Sequence, residues 1–387
     1  MPTPVEAAAA RAAGVLRELQ AVPAIAQAMA AAPREVRDSL PRVLAASDFV
    51  AESCTRDPEA MAALLASDLR APRTAEQYAA TAQAEGRHAD EAQFQAWIRR
   101  WRRREMLRIA WRDLAGWADV EETLAGLSAF ADAAIEAASR FATEGVVARF
   151  GTPRSTDGAA QPFVVVAMGK LGGGELNFSS DIDLVFLFPE FGETDGARPV
   201  ANEEFFTRRG QALIRLLDAR TVDGFVFRID MRLRPFGDSG PLVAGFSSFE
   251  DYLLRHGRAW ERYAWVKARA ITAVDAYAEL QASAVRPFVY RRYLDFGVFE
   301  SLREMKGLIE REVQRRDLAD NVKLGPGGIR EIEFVVQALQ LVRGGQDRRL
   351  QPPSLLEALS VLEGGRALPA EALAALRAAY RFLRRLE

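Results

Sequence analysis

The chain has 387 residues, 49% of them hydrophobic and 27% charged, with a formal net charge of −2. That length exceeds what one compact core serves and predicts two or three domains. The near-neutral balance and a single cysteine, Cys54, exclude a bulk electrostatic nucleic-acid binder and an intrachain disulfide framework.

Residues 1–150 read as helix, rich in Ala, Leu, Arg and Glu and without strand-like alternation. "PTPVEAAAARAAGVLRELQAV" opens on prolines and continues in good helix formers, and Asp57 with Pro58 is a helix start. Phe94, Ile98, Trp101, Met106, Ile109 and Trp111 space out a long amphipathic helix. On it, Arg99, Arg100, Arg102, Arg103 and Arg104 are a solvated face in the plainer reading and a partner-binding face in the other. No apolar run reaches membrane-span length, and early Glu and Arg replace a signal peptide, so the expected location is the cytoplasm, with no membrane partner. His88 and His256, the only histidines, lie too far apart in sequence to suggest a histidine-rich zinc site.

"GTPRSTDGAAQP" (residues 151–162) is a turn region by composition, and the texture changes after it. "FVVVAMG", "DLVFLFP" and "FVFRIDMRLRP" read as three strands, with "ANEEFFTRRGQALIRLLDAR" as a helix between the last two. Residues 151–272 are therefore an α/β unit. From 273 to 387 helical texture returns in "VFESLREMKGLIEREVQRR", "GIREIEFVVQALQLV" and "PAEALAALRAAYRFLRRLE". The pattern reaches Glu387 with no stop signal, which reads as a fragment of a longer protein. The expected fold class is α+β, mainly helical: a central mixed sheet flanked by an N-terminal helical domain and a C-terminal helical bundle.

The chemistry concentrates in "GKLGGGELNFSSDIDLVFLF", residues 169–188. Successive side chains of a strand face opposite ways, so Asp181 and Asp183 share one face, and Ile182, Leu184, Phe186 and Phe188 the other. On the third strand Arg228, Asp230, Arg232 and Arg234 alternate with Phe227, Ile229, Met231 and Leu233. If the strands are neighbours, three carboxylates meet beside a row of guanidiniums. Carboxylates that close repel unless a cation separates them, and hard oxygen ligands with open positions suit Mg²⁺. Guanidiniums suit phosphate oxygens. Gly169, Gly172, Gly173 and Gly174 would let backbone amides approach a phosphate, although no Gly-Lys-Ser/Thr follows as in a Walker loop. Together these describe metal-assisted phosphoryl or nucleotidyl transfer.

The segment resembles the signature of the nucleotidyltransferase superfamily that includes polymerase β. Gly169, Gly174, Ser180, Asp181 and Asp183 fall on its glycine and Ser-Asp-x-Asp positions, while Lys170 stands where a serine is usual. The blocks "SDFVAESCTRDPEAM", "RIDMRLRPFGDSGPLV", "WERYAWVKARAI" and "NVKLGPGGIREIEFVVQ" are similar, in order, to bacterial glutamine synthetase adenylyltransferase. That family has two tandem nucleotidyltransferase domains. "ELNFSSDIDL" and "GPGGIREIEF" are similar to the N-terminal, adenylyl-removing copy, and no second Asp-x-Asp block is present.

The resemblance implies phosphorolysis of adenylyl-tyrosine on adenylylated glutamine synthetase. Inorganic phosphate is consumed, ADP is released, and PII signal protein is the regulator. Asp181, Asp183 and Asp230 would be the catalytic set and the Mg²⁺ ligands. Gly169, Lys170, Gly173, Gly174, Ser180, Arg232, Arg234 and Lys267 would bind nucleotide or phosphate. Lys170, Arg232, Arg234 and Lys267 are also the candidate cations for the departing phenolate, whose conjugate acid has a pKa of about 10. On a helix starting near Gly328, Arg330, Glu331 and Glu333 are candidates for the active-site rim, with Glu331 and Glu333 simply helix-start acids in the plainer reading. Tyr263, Trp260 and Trp265 could stack an adenine or simply be core. Two other functions stay open: ATP-dependent adenylyl transfer in the forward direction, and a partner-docking module.

Overall fold

The computed structural model describes residues 3–291, 300, 303–304, 306–307, 311, 315, 321–365 and 367–387. The helix expected over "VFESLREMKGLIEREVQRR" lies largely outside the described residues. The rest is a mainly helical α+β protein with one small mixed sheet. No helix among the described residues is long and apolar enough to cross a membrane. The chain divides into two compact units, Met1–Ala134 with Arg220–Val226, and Ile135–Ala219 with Phe227–Glu387.

The first unit is helical, and its starts follow the local chemistry. Thr3 and Glu6 form a capping box on Pro4–Gln20, and the Asp57 carboxylate accepts from the Ala60 N–H at 3.0 Å to cap Pro58–Ala66. The helix Glu91–Leu114 buries Phe94, Ile98, Trp101, Met106, Ile109 and Trp111, as the spacing predicts. Its arginine run corrects both earlier readings. Only Arg100 is exposed. Arg99 Nε donates to the Gly224 carbonyl at 2.8 Å, Arg103 donates to the Asp223 carbonyl at 3.0 Å, and Arg102 lies over the Phe225 ring. The run binds the segment Arg220–Val226 of the same unit. A linear pattern cannot anticipate a partner about 120 residues away.

The second unit holds the sheet, in the order β3–β2–β1–β5, with β4 also paired to β2. The strands are β1 (Val164–Met168), β2 (Ile182–Phe188), β3 (Ile229–Asp230), β4 (Val243–Gly245) and β5 (Arg269–Ala270). β1 lies antiparallel to β2 and β5, whereas β3 and β4 run parallel to β2. Val164, Val166, Met168, Val185 and Leu187 on one face join Phe249, Leu253, Trp265 and Leu280. On the other face Phe163, Phe188 and Phe206 stack, with Phe186 and Phe205 beside them. A sheet covered on both sides needs continuous apolar strands, which is the texture of "FVVVAM" and "LVFLF". The helices Ile329–Arg343, Leu355–Glu363 and Ala370–Leu386 share a second core built on Val336, Leu359 and Tyr380.

The third strand is shorter than predicted. Only Ile229–Asp230 pairs, and the chain then turns. The Asp230 carboxylate accepts from the Arg232 N–H at 2.8 Å, an aspartate turn that draws the backbone off the sheet, and Pro235 has no N–H for a ladder. The row of arginines on one strand face is thereby dissolved.

Candidate active site

Register brings the key acids together. β1 ends at Met168 opposite Asp183, and in the parallel pair Asp183 lies beside Asp230. Asp181, just before β2, is half exposed and held by Arg228, which also donates to the Ser179 carbonyl at 2.9 Å. Asp230 is held by Arg232 Nε at 2.9 and 3.0 Å, and this hydrogen bond keeps its carboxyl below the usual carboxylate range. Among the described residues Asp183 has no such partner. Burial, then the charge of Asp230, push its carboxyl up to about 6, with a smaller push from Asp181.

The turn after β1 explains its glycines. Gly169 has φ +56, and a Cβ there would stand 2.7 Å from Asp183 Oδ2. Gly169→Ala should therefore cost about 1–2 kcal/mol in urea unfolding, from the left-handed backbone alone. It should impair catalysis beyond that cost by displacing Asp183; unchanged stability would refute the strain. At Gly172 a Cβ would lie 1.7 Å from the Lys267 carbonyl, so this glycine serves backbone packing. The expectation that Gly173 and Gly174 offer amides to a phosphate is corrected. Their N–H groups donate to the Gly169 and Leu171 carbonyls at 3.1 and 3.0 Å, closing the short helix Gly169–Gly172.

Lys170 and Ser180 meet across the turn, with the Lys170 ammonium donating to Ser180 Oγ at 3.1 Å. The same ammonium is paired with the Glu387 carboxylate, which also accepts from Asn177 at 3.2 Å and from Arg384 at 2.7 Å. Burial lowers the Lys170 pKa, only partly offset by Glu387.

Lys267 is not on the open side of the turn. It is 4% exposed and donates to Glu175 at 2.9 Å and Glu333 at 2.6 Å. Burial by itself would lower its pKa, but the two carboxylates outweigh it and hold the ammonium well above its usual value. Its reading as a phosphate ligand is corrected: both sides are already satisfied by carboxylates. The rim candidates separate as well. Glu333 joins this ion triad, Glu331 accepts from the Gly327 N–H at 2.6 Å in the turn before its helix, and Arg330 is exposed. Arg234 donates to the Met231 carbonyl at 2.9 Å and lies 3.5 Å from Asp238, while its charge is still felt by Asp230. Trp265 is core, Tyr263 packs on Phe334, and Trp260 is 42% exposed.

Three residues went unrecognised in sequence. Lys323 bears a charge felt by both Asp183 and Lys170, and it sits on the Gly-rich turn before the helix Ile329–Arg343. Glu175 and Glu387 bracket the motif turn from inside and outside. Only the Lys323 signal was available, inside "NVKLGPGG".

Magnesium can be weighed against these residues. Three carboxylates supply hard oxygen donors, and burial first, then the charge of Asp230, raise the Asp183 pKa, both of which a cation would offset. Among the described residues, however, no three acidic, histidine or cysteine side chains are posed together as a metal cage. The expected convergence of three carboxylates is thus reduced to a pair, Asp183 and Asp230, with Asp181 turned to Arg228. The donor chemistry fits, provided Asp181 and Asp230 exchange their arginines for the ion.

A glycine turn, two aspartates side by side at the head of a mixed sheet, and flanking cations define the class of the nucleotidyltransferases. Residues 37–285 match the family model described as glutamate-ammonia ligase adenylyltransferase, and residues 303–387 match one described as GlnD PII-uridylyltransferase. A bifunctional glutamine synthetase adenylyltransferase/adenylyl-removing enzyme of Shewanella loihica is 49% identical over 360 residues, 92% of this chain and 37% of the relative. The protein of the same description from Shewanella oneidensis is 48% identical over 352 residues, 91% of this chain and 37% of the relative. The chain belongs to the glutamate-ammonia ligase adenylyltransferase family, and it spans little more than a third of the length of the curated relatives it matches.

Proposed function

We propose that this chain removes AMP from adenylylated glutamine synthetase by phosphorolysis. An oxygen of inorganic phosphate attacks the adenylyl phosphorus, the bond from phosphorus to the tyrosine oxygen breaks, the phenolate takes up a proton, and ADP leaves. The reading rests on one observation above all: Asp183 and Asp230 lie side by side in parallel register at the edge of the glycine turn. The relatives' names carry both directions, and the similarity of "ELNFSSDIDL" to the adenylyl-removing copy favours removal over ATP-dependent transfer.

Asp181, Asp183 and Asp230 would hold Mg²⁺, which when bound supplies positive charge where two anions must meet. The chain's own groups do the rest. Arg228 and Arg232, now paired with Asp181 and Asp230, would take phosphate oxygens once freed. Inorganic phosphate is already anionic near neutral pH, so no strong base is needed to make it a nucleophile. The match of residues 303–387 to a PII-uridylyltransferase model supports PII protein as regulator.

Lys170 faces a carboxylate now, so incoming phosphate would take the place of Glu387. Two variants test this with radiolabelled adenylylated synthetase and a phosphate titration. Lys170→Ser should raise the phosphate concentration for half-maximal ADP release severalfold, and Glu387→Gln should lower it. Identical titrations would remove Lys170 from the mechanism. Phosphate-independent AMP release, or incorporation of AMP from ATP into unmodified synthetase, would overturn the direction.

A further inference from the structure

A second concave site lies in the same unit as the sheet but apart from the aspartates. It encloses about 350 Å³ and is lined by Trp265, Val266, Ala268, Val285, Tyr290, Pro352 and other residues of three segments. That volume falls in the range of small-ligand pockets.

Its chemistry is specific. Arg286 and Arg348 reach it, and among the described residues neither has a carboxylate partner, whereas Arg349 beside them is already paired with Asp347 at 2.8 Å. Among the described residues the buried Tyr290 hydroxyl has no hydrogen-bond partner, and Arg286 is close enough to act on its titration. A buried hydroxyl left without a partner is costly unless something binds there. Trp265, Pro352 and Val285 supply flat and apolar walls.

The helical wall is also unusual. Between the helices Val274–Leu280 and Arg286–Val289 the backbone widens into a π-helical turn, Gln281–Val285, where the Arg286 N–H reaches back to the Gln281 carbonyl. Pro287 gives the cause: its ring crowds the carbonyl four residues earlier and has no N–H to offer it. Gln281, Val285 and Arg286 of this turn all line the cavity. Such turns are frequent at functional sites.

Two of the cavity walls are fastened to one buried carboxylate. Lys267, between the wall residues Val266 and Ala268, donates to Glu175, and the Leu355 N–H, two residues beyond wall residue Pro353, donates to Glu175 at 2.6 Å. Glu175 closes the motif turn through its own N–H to the Lys170 carbonyl, and the Pro353 carbonyl would stand 3.1 Å from a Cβ on Gly173.

We propose that this cavity binds a small organic anion with a flat, apolar body, such as an aryl phosphate or aryl carboxylate, and that its occupancy is transmitted through Glu175 to the glycine turn. Arg286, Arg348 and the Tyr290 hydroxyl take the anionic group; Trp265 and Pro352 take the body. The binding claim does not depend on the proposed activity.

The probe is phenyl phosphate, with phenol and inorganic phosphate as comparators. It is titrated into the whole chain while tryptophan fluorescence is read. A saturable change is expected, absent in Trp265→Phe. The affinity should be about tenfold weaker in Arg286→Gln and in Arg348→Gln, and undetectable in the double variant. Phenol should bind far more weakly, for want of charge, and inorganic phosphate for want of a body. Calorimetry of the same variants reports binding independently of the fluorophore, and their thermal transitions establish that they are folded. Equal affinity in the folded double variant would place the ligand elsewhere and overturn the site. Amide hydrogen exchange tests the transmission: the Gly173 and Gly174 amides should slow severalfold with the probe bound. Binding that leaves those amides unchanged would overturn the effector role.

Discussion

Asp183→Asn is expected to lower phosphorolysis by about a thousandfold or more while making the metal-free protein more stable. The activity loss follows from removing the carboxylate that faces Asp230 and the turn. The stability gain follows from its titration. The folded-state pKa, about 6, lies above the ordinary 3.8, because burial and the neighbouring Asp230 oppose ionisation. Between those values the native state holds more protons than the unfolded one, so stability falls as pH rises through that window. Asparagine removes the penalty. At pH 7 the variant should be more stable by about 1–3 kcal/mol, and at pH 4 the gap should close. Magnesium should reverse the order at pH 7.5, stabilising only the chain with aspartate at this position, and should lose that effect near pH 5 as the carboxyl protonates. Urea unfolding at several pH values, with and without the ion, reads all of this. A variant less stable than the parent at pH 7 without metal would refute the repulsion.

Lys267→Met should produce the largest loss of stability of any change discussed, about 3–5 kcal/mol. It leaves two carboxylates, the buried Glu175 and the partly buried Glu333, without their common ammonium. In the parent protein Glu333 is pressed upward by burial but held below its usual 4.5 by Lys267, so its contribution is complete above 4.5 and fades as pH falls through the folded value. Lys267 is held above 10.5, so its contribution is complete below that and fades at higher pH. In the variant Glu333 loses the ammonium that favours its ionised form and takes up a proton more readily, so the deficit should shrink as the pH is lowered from 8 to 5. Adding Glu175→Gln and Glu333→Gln to Lys267→Met should recover much of the loss, since the penalty is uncompensated charge. A single variant whose deficit is the same at pH 5 and pH 8 would show that Lys267 acts through packing alone. Lys267→Arg keeps the charge but not the compact ammonium between two carboxylates, and should recover only part.

Much of this protein is written locally. Asp57, Pro58, Thr3 and Glu6 start helices because capping needs only neighbours within a turn. The strands around Val166 and Phe186, and the glycine turn between Met168 and Asp181, were legible because two-sided burial and tight turns demand particular residue types in sequence. So was the likeness of Gly169, Ser180, Asp181 and Asp183 to the nucleotidyltransferase signature. What the sequence could not determine was which charge meets which. "RIDMRLRP" reads as an alternating strand because periodicity carries no information on where Asp230 sends its carboxylate; folding back onto the Arg232 N–H, it ends the strand. Lys267 and Arg99 look like free cations in a linear text and prove to be buried partners of Glu333 and the Gly224 carbonyl, many residues away. Only the tertiary structure decides this, because a charge taken from water is tolerated only beside its complement, and that complement is supplied by packing rather than by sequence position.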